Sequence, residues 1–264
     1  MSQWIRIFFG YEPDPREAEG WFSPQHLIFV SVMLLITVLI AVLVGRPRRK
    51  LDRAAQIRPL KVAAIAILSL ETLKAVILCT RGRGIAELRG ILPLFLCSVM
   101  LFALPLAAFT KGRVQEAALD FSLCFGPLCA AAGTYLAGNI FQSPILSFDV
   151  LVSVTTHCIS GFAGVYIGVT HLAAMERKNM PATGLILLVF ELMALAVDII
   201  QLPTPYQSNY MFLMTPDGTP FTILESVAGG TGAVYTLLVA LVYFAYLLLF
   251  ELIYVLLTRR KRVR

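Results

Sequence analysis

Seven stretches of this 264-residue chain are apolar for long enough to cross a membrane, and most of its charge lies between them. They run over about 24–44, 60–80, 91–109, 117–137, 150–172, 182–201 and 232–257. A helix needs about 20 such residues to traverse the hydrocarbon core, and each stretch approaches or exceeds that. Charged residues make up 14% of the chain, against roughly 25% in soluble domains. The expected fold class is therefore an all-α membrane protein, a seven-transmembrane helix bundle forming one integral membrane domain over 1–264. The fourth stretch, rich in Ala, Cys and Gly, carries the weakest signal.

Lys and Arg set the orientation. The connection after the first stretch holds seven of them, from Arg46 to Lys61. With Lys111, Arg113, Arg177, Lys178 and five in the tail RRKRVR, one side collects sixteen. The other has five: Arg6, Arg16, Arg81, Arg83 and Arg89. The positive-inside rule then puts the N-terminus outside and the C-terminus in the cytoplasm. The basic balance is a topology signal and implies no nucleic acid as partner. The first 20 residues lack the basic, apolar, small order of a cleavable leader, so the first span is expected to serve as the insertion signal. The longest connection, about 202–231, contains the apolar run NYMFL. It is expected to dip back to the membrane or to cap the bundle.

Polar residues within spans are costly and usually face the bundle interior. At ~1.5 Å of rise per residue, Cys97 lies roughly 9 Å below the outer surface and His157 roughly 12 Å. Glu71 and Lys74 lie at roughly 13 and 9 Å on the same estimate. His26 sits at the outer mouth of the first span, and Asp198 at the outer end of the sixth. This clustering in the outer half predicts a polar cavity opening outward. Each residue also has a purely structural reading. Cysteine packs as a small hydrophobe. Glu71 and Lys74, three apart on one helix, can neutralise each other. Asp198 can orient His157 or cap its own span. His157 lies in a helix where Ser160, Gly164 and Gly168 recur every fourth residue, a spacing that permits close helix contact. A buried imidazole there needs partners for both ring nitrogens. The five cysteines form no C-x-x-C pair, so neither a disulfide framework nor a metal site is expected, and no cofactor is implied.

Cysteine and histidine at similar depth suit nucleophilic acyl transfer, the imidazole taking the thiol proton. Four segments carry a resemblance that points the same way: WFSPQHLIF at 21–29, LPLFLCSVM at 92–100, NIFQSPILSF at 139–148 with TTHCISG at 155–161, and TPYQSNYMFL at 204–213. In order and spacing they resemble the YwaF-like family of bacterial integral membrane proteins. They are also distantly similar to a eukaryotic transmembrane acyltransferase that remodels ether phospholipids. The resemblance implies that Cys97 and His157 form the catalytic pair and that His26 is the family's first-span histidine. The chain departs from the family at Phe95, where a polar residue often stands two positions before the cysteine.

The expectation is acyl transfer on membrane lipids in the bacterial cytoplasmic membrane, with a phospholipid as acyl donor. Cys97 and His157 would be catalytic. His26, Glu71, Lys74, Asn139, Asp198 and Asn209 would bind substrate or shape the site. The rival reading is a non-enzymatic small transporter or ligand sensor using the same cavity. Pro93 and Pro105, which break the third span, and the Gly-rich entry to the seventh would suit movement.

Overall fold

The computed structural model describes residues 2–83, 92–173, 175–204 and 207–262. Their regular structure is helical, without a strand among the described residues. A short helix α1 (Gln3–Phe8) leads into α2 (Pro24–Arg48) and α3 (Arg53–Leu78). Then come α4 (Met100–Phe109), α5 (Gly112–Tyr135) and α6 (Phe148–Thr170). The chain closes with α7 (Met180–Gln201), a short α8 (Thr222–Ala228) and α9 (Ala233–Arg262). Six of these are long and apolar enough to cross a membrane: α2, α3, α5, α6, α7 and α9. The expected third span, 91–109, is the exception. It is α-helical only over α4, and Ile91 lies outside the described residues. Residues 95–99 form turns, with Ser98 N and Val99 N both donating to Phe95 O. Pro93, which cannot donate a backbone hydrogen bond, precedes these turns.

The weak fourth stretch turns out to be the centre of the bundle. In α5, 72% of the apolar stretch is buried, against 17% in α2. A helix enclosed by neighbours needs small side chains, whereas one facing lipid needs large apolar ones. That explains why Ala, Cys and Gly replace Leu and Val in α5. Its closest partner is α6. A Cβ on Gly126 would stand 2.5 Å from Ser160 O, and one on Gly161 2.6 Å from Ala130 Cβ. At Gly164 it would stand 2.4 Å from Pro127 Cδ and 2.8 Å from Ser122 O. The glycines thus bring the two backbones together, as the every-fourth spacing predicts.

Replacing Gly164 with leucine should overfill this contact and cost on the order of 1–3 kcal/mol. Thermal unfolding of the purified variant in detergent measures it. A midpoint equal to the parent's would show that α6 yields freely at this position.

Both ends of the bundle are tied by hydrogen bonds. At the N-terminal end, Trp21 Nε1 donates to Tyr135 O at 2.8 Å. The Arg81 guanidinium donates to Phe9 O and grips both carboxylate oxygens of Asp149 at 2.7 and 3.0 Å. At the opposite end, the Gln56 amide shares its two N–H groups among three carbonyls at and just beyond the end of α2: Arg48, Arg49 and Leu51. Tyr166 Oη in turn donates to Gln56 O. Asp120, almost fully buried, accepts from Met175 N and Asn179 Nδ2 and so holds the connection between α6 and α7.

Candidate functional site

His157 lies midway along α6. Its Nδ1 is 2.6 Å from the carbonyl of Ser153, one turn earlier. A carbonyl only accepts, so Nδ1 carries the proton and Nε2 of the neutral ring presents a lone pair. The Nε2 edge of the ring rests against α5 at Gly133. A Cβ there would fall 1.9 Å from His157 Cδ2 and 2.1 Å from Nε2. Gly133 is thus the seat of the imidazole.

Cys97 comes to the same place from the turns before α4. The thiol and the His157 ring are electrostatic neighbours, and no direct hydrogen bond joins the two side chains in the structure. Ser98 Oγ is 4.0 Å from Cys97 Sγ. Both members of the pair are deep in the bundle, yet both are only half-buried, so neither is sealed. Cys129, one helical turn before Gly133 on α5, is an electrostatic neighbour of the same thiol. Lys74 completes the cluster from α3. Its Nζ donates to Ser153 Oγ at 3.0 Å, and its charge is felt at His157. Its hydrogen-bond partner is therefore Ser153, and no ion pair joins it to Glu71. With Nε2 free to accept, the arrangement can move a proton from the thiol to the imidazole.

Of the eight residues the sequence nominates, the structure gathers Cys97, His157 and Lys74. The others sit elsewhere. His26 is fully buried, with both nitrogens occupied: Nδ1 accepts from Phe22 N at 3.2 Å and Nε2 donates to Thr134 O at 3.0 Å. It braces α5 one residue beyond Gly133 and so acts on the pair indirectly. Asp198 and Asn209 organise the long connection. Asp198 accepts from Ser208 Oγ at 2.6 Å and Tyr210 N at 2.8 Å. Asn209 donates to Thr215 and Asp217 and accepts from Met214 N and Thr215 N. Glu71 is half-buried and Asn139 exposed, without a described contact to the pair.

The NYMFL run caps the site. Tyr210, Met211 and Leu213 are buried, and Met211 and Phe212 hold left-handed φ values of 53° and 57°. That conformation is strained for residues with bulky side chains. Three side chains of α9 keep it in place: Tyr235 and Tyr243 donate to Phe212 O and Met211 O, each at 3.0 Å, and Thr236 to Leu213 O at 2.8 Å. Phe95 packs under the cap, its ring 5.0 Å from Tyr210 and 6.1 Å from Phe212. The apolar residue at this departure from the family pattern is thus the floor on which the cap rests.

Two participants escape sequence reading. Gly133 is one small residue in CAAAGTY, and nothing local marks it as a ring seat. Ser153 acts through its carbonyl, which every residue has. The i−4 spacing to His157 is the only signal, and it needs the helix to be known. Among the described residues, no three His, Cys, Asp or Glu side chains come close enough to share a metal ion.

The model of the TMEM164 family matches residues 21–254. No curated protein and no solved structure matches the chain. The matched range takes in the cysteine, the histidine, the glycine seat and the cap.

Proposed function

Because this chain belongs to the TMEM164 family of transmembrane proteins, we propose that it is a membrane-embedded acyltransferase acting on lipids through Cys97 and His157. The observation that carries this reading is the state of His157. Its Nδ1 is committed to Ser153 O, so Nε2 is the nitrogen left to take the thiol proton. The resemblance to YwaF-like proteins and their lipid-modifying eukaryotic relative supports it.

In the proposed reaction, Nε2 takes the Cys97 proton and the thiolate adds to the ester carbonyl of a phospholipid. Collapse of the adduct breaks the ester C–O bond. The imidazolium returns its proton to the departing lysophospholipid, leaving a thioester on Cys97. An acceptor hydroxyl then gives its proton to Nε2 and attacks the thioester, which restores the thiol and releases the acylated acceptor. Lys74 faces the donor's phosphate or the developing oxyanion. His26, Asp198 and Asn209 act as positioning residues for the walls and cap, while Glu71 and Asn139 flank the entrance. Inner closure by the Asp120 and Gln56 networks favours this reading over a transport path through the bundle.

The proposed topology has seven crossings, with the broken third completed by α4 and the turns before it. The N-terminus is outside and the C-terminus cytoplasmic, in the cell membrane, so the site lies in the outer half. Single cysteines at Pro220 and Arg49, in an otherwise cysteine-free chain, test this. An impermeant maleimide on intact cells should label the first and spare the second, and the reverse pattern would move the site to the cytoplasmic half. Lipidomics of a host with and without the chain tests the activity. Acyl chains should redistribute among phospholipid classes, and identical acyl profiles would overturn the reading.

A further inference from the structure

A second feature lies at the other end of the bundle and owes nothing to the acyl-transfer proposal. Where α7 begins and α9 ends, the two helices part around a groove of about 670 Å³. That volume is within the range of ligand sites, roughly 300–1,000 Å³. Its walls are apolar, with Leu185, Leu188 and Leu248 all exposed. Gly184 keeps it open: a Cβ there would already approach Phe244 Cε1 to 3.3 Å. Two charged residues, Arg177 and Glu251, also line the groove, and neither forms an ion pair among the described residues. Lys178, next to Arg177, is instead held by Glu176 at 2.5 Å.

The depth of these charges is informative. Tyr254 Oη donates to Ala173 O, in the connection that leaves α6, and so marks the edge of the bundle. Glu251 lies three residues earlier, roughly 4.5 Å above that level by helical rise. Arg177 lies three residues before the start of α7. Both line the mouth at the end of the groove where α7 begins, with the apolar slot running from them towards Gly184.

We propose that this groove is a binding site for a phosphatidylethanolamine-type lipid. Its phosphate lies on Arg177, its protonated primary amine on Glu251, and one acyl chain in the slot beside Gly184. The argument is charge complementarity. The mouth offers one unpaired cation and one unpaired anion, and the head group offers the opposite pair. A choline head has no N–H to donate to Glu251. A glycerol head brings no cation to it and leaves the carboxylate facing an anionic lipid.

The test is native mass spectrometry of the full chain, purified in maltoside and exposed to equal amounts of phosphatidylethanolamine, phosphatidylcholine and phosphatidylglycerol. Phosphatidylethanolamine should be retained about tenfold over phosphatidylcholine, the ratio expected of one charge-assisted hydrogen bond. Glu251→Ala should bring that ratio close to one while phospholipid is still bound. Arg177→Gln should lower retention of all three lipids. Gly184→Leu, or Leu188→Trp should the first not fold, should fill the slot and do the same. Equal retention of the ethanolamine and choline lipids by the parent would overturn the proposal. So would a preference for phosphatidylglycerol, or an ethanolamine preference that survives Glu251→Ala.

Discussion

Incubated with a phospholipid, the purified chain should acquire a thioester on Cys97 that neutral hydroxylamine cleaves, and Cys97→Ser should acquire none. Mass spectrometry of the peptide covering residues 90–111 reads it directly. The same pair governs a simpler reaction. The thiolate is the reactive form of cysteine, and an unassisted thiol has a reference value near 8.5, so only a few per cent is ionised at neutral pH. Cys97 has the His157 imidazole, whose Nδ1 is committed to Ser153 O, as an electrostatic neighbour. A membrane-permeant maleimide should therefore alkylate it faster than Cys79, Cys124, Cys129 or Cys158. His157→Ala should erase that advantage and lower transfer by about 10²–10⁴-fold, the usual contribution of a positioned base. If Cys97 alkylates no faster than the other four, and His157→Ala changes nothing, the thiol is a packing residue and the ligand-binding reading takes its place.

Gly133→Ala should be nearly as damaging, although it adds a single methyl group and touches no reacting atom of the thiol. The new Cβ would occupy the ring's own space, 1.9 Å from Cδ2. The imidazole must swing away, breaking the Ser153 contact or losing Cys97. A misplacement of about 1 Å is enough to cost 10²-fold. Stability separates this from general disruption. In a His157→Ala background the methyl group meets no ring, so the thermal penalty of Gly133→Ala should largely vanish. That non-additivity is the signature of two residues in contact. An additive pair of penalties would mean that the glycine serves helix packing alone.

These two residues show where sequence reading stops. The crossing helices are legible because lipid imposes length and apolarity, and each of the six long ones is found near its expected position. The small-residue spacing at Ser160, Gly164 and Gly168 foretells a close contact because backbone approach requires it. Cys97, His157 and Lys74 are legible as a depth cluster, since polar groups in lipid must find one another. His26 belongs to the same depth pattern, but its two ring nitrogens are already spent on Phe22 N and Thr134 O. Depth gives height along a helix and says nothing of azimuth or of partners. The third span is legible only in part for a related reason: its apolar run is long enough, but hydropathy does not report how the chain is wound, and the turns before Met100 give way to an α-helix only over Met100–Phe109. Likewise the partner of Lys74 could not be read from i,i+3 spacing to Glu71, because a serine on another helix competes for the ammonium.

The cap is held in a way that bears on how distant relatives can be found. Tyr235, Thr236 and Tyr243 grip carbonyl oxygens of residues 211–213, and carbonyls do not depend on which side chain follows them. The letters at 211–213 are therefore free to drift wherever a substitute tolerates the left-handed turn and the buried face. The donors on α9 have no such latitude, since phenylalanine at 235 or 243 would abandon its carbonyl. Over long divergence the recognisable part of this device should migrate from the loop, where it is conspicuous, to a pair of tyrosines eight residues apart on the last helix. A search keyed to that pair should reach kin whose loops no longer look alike.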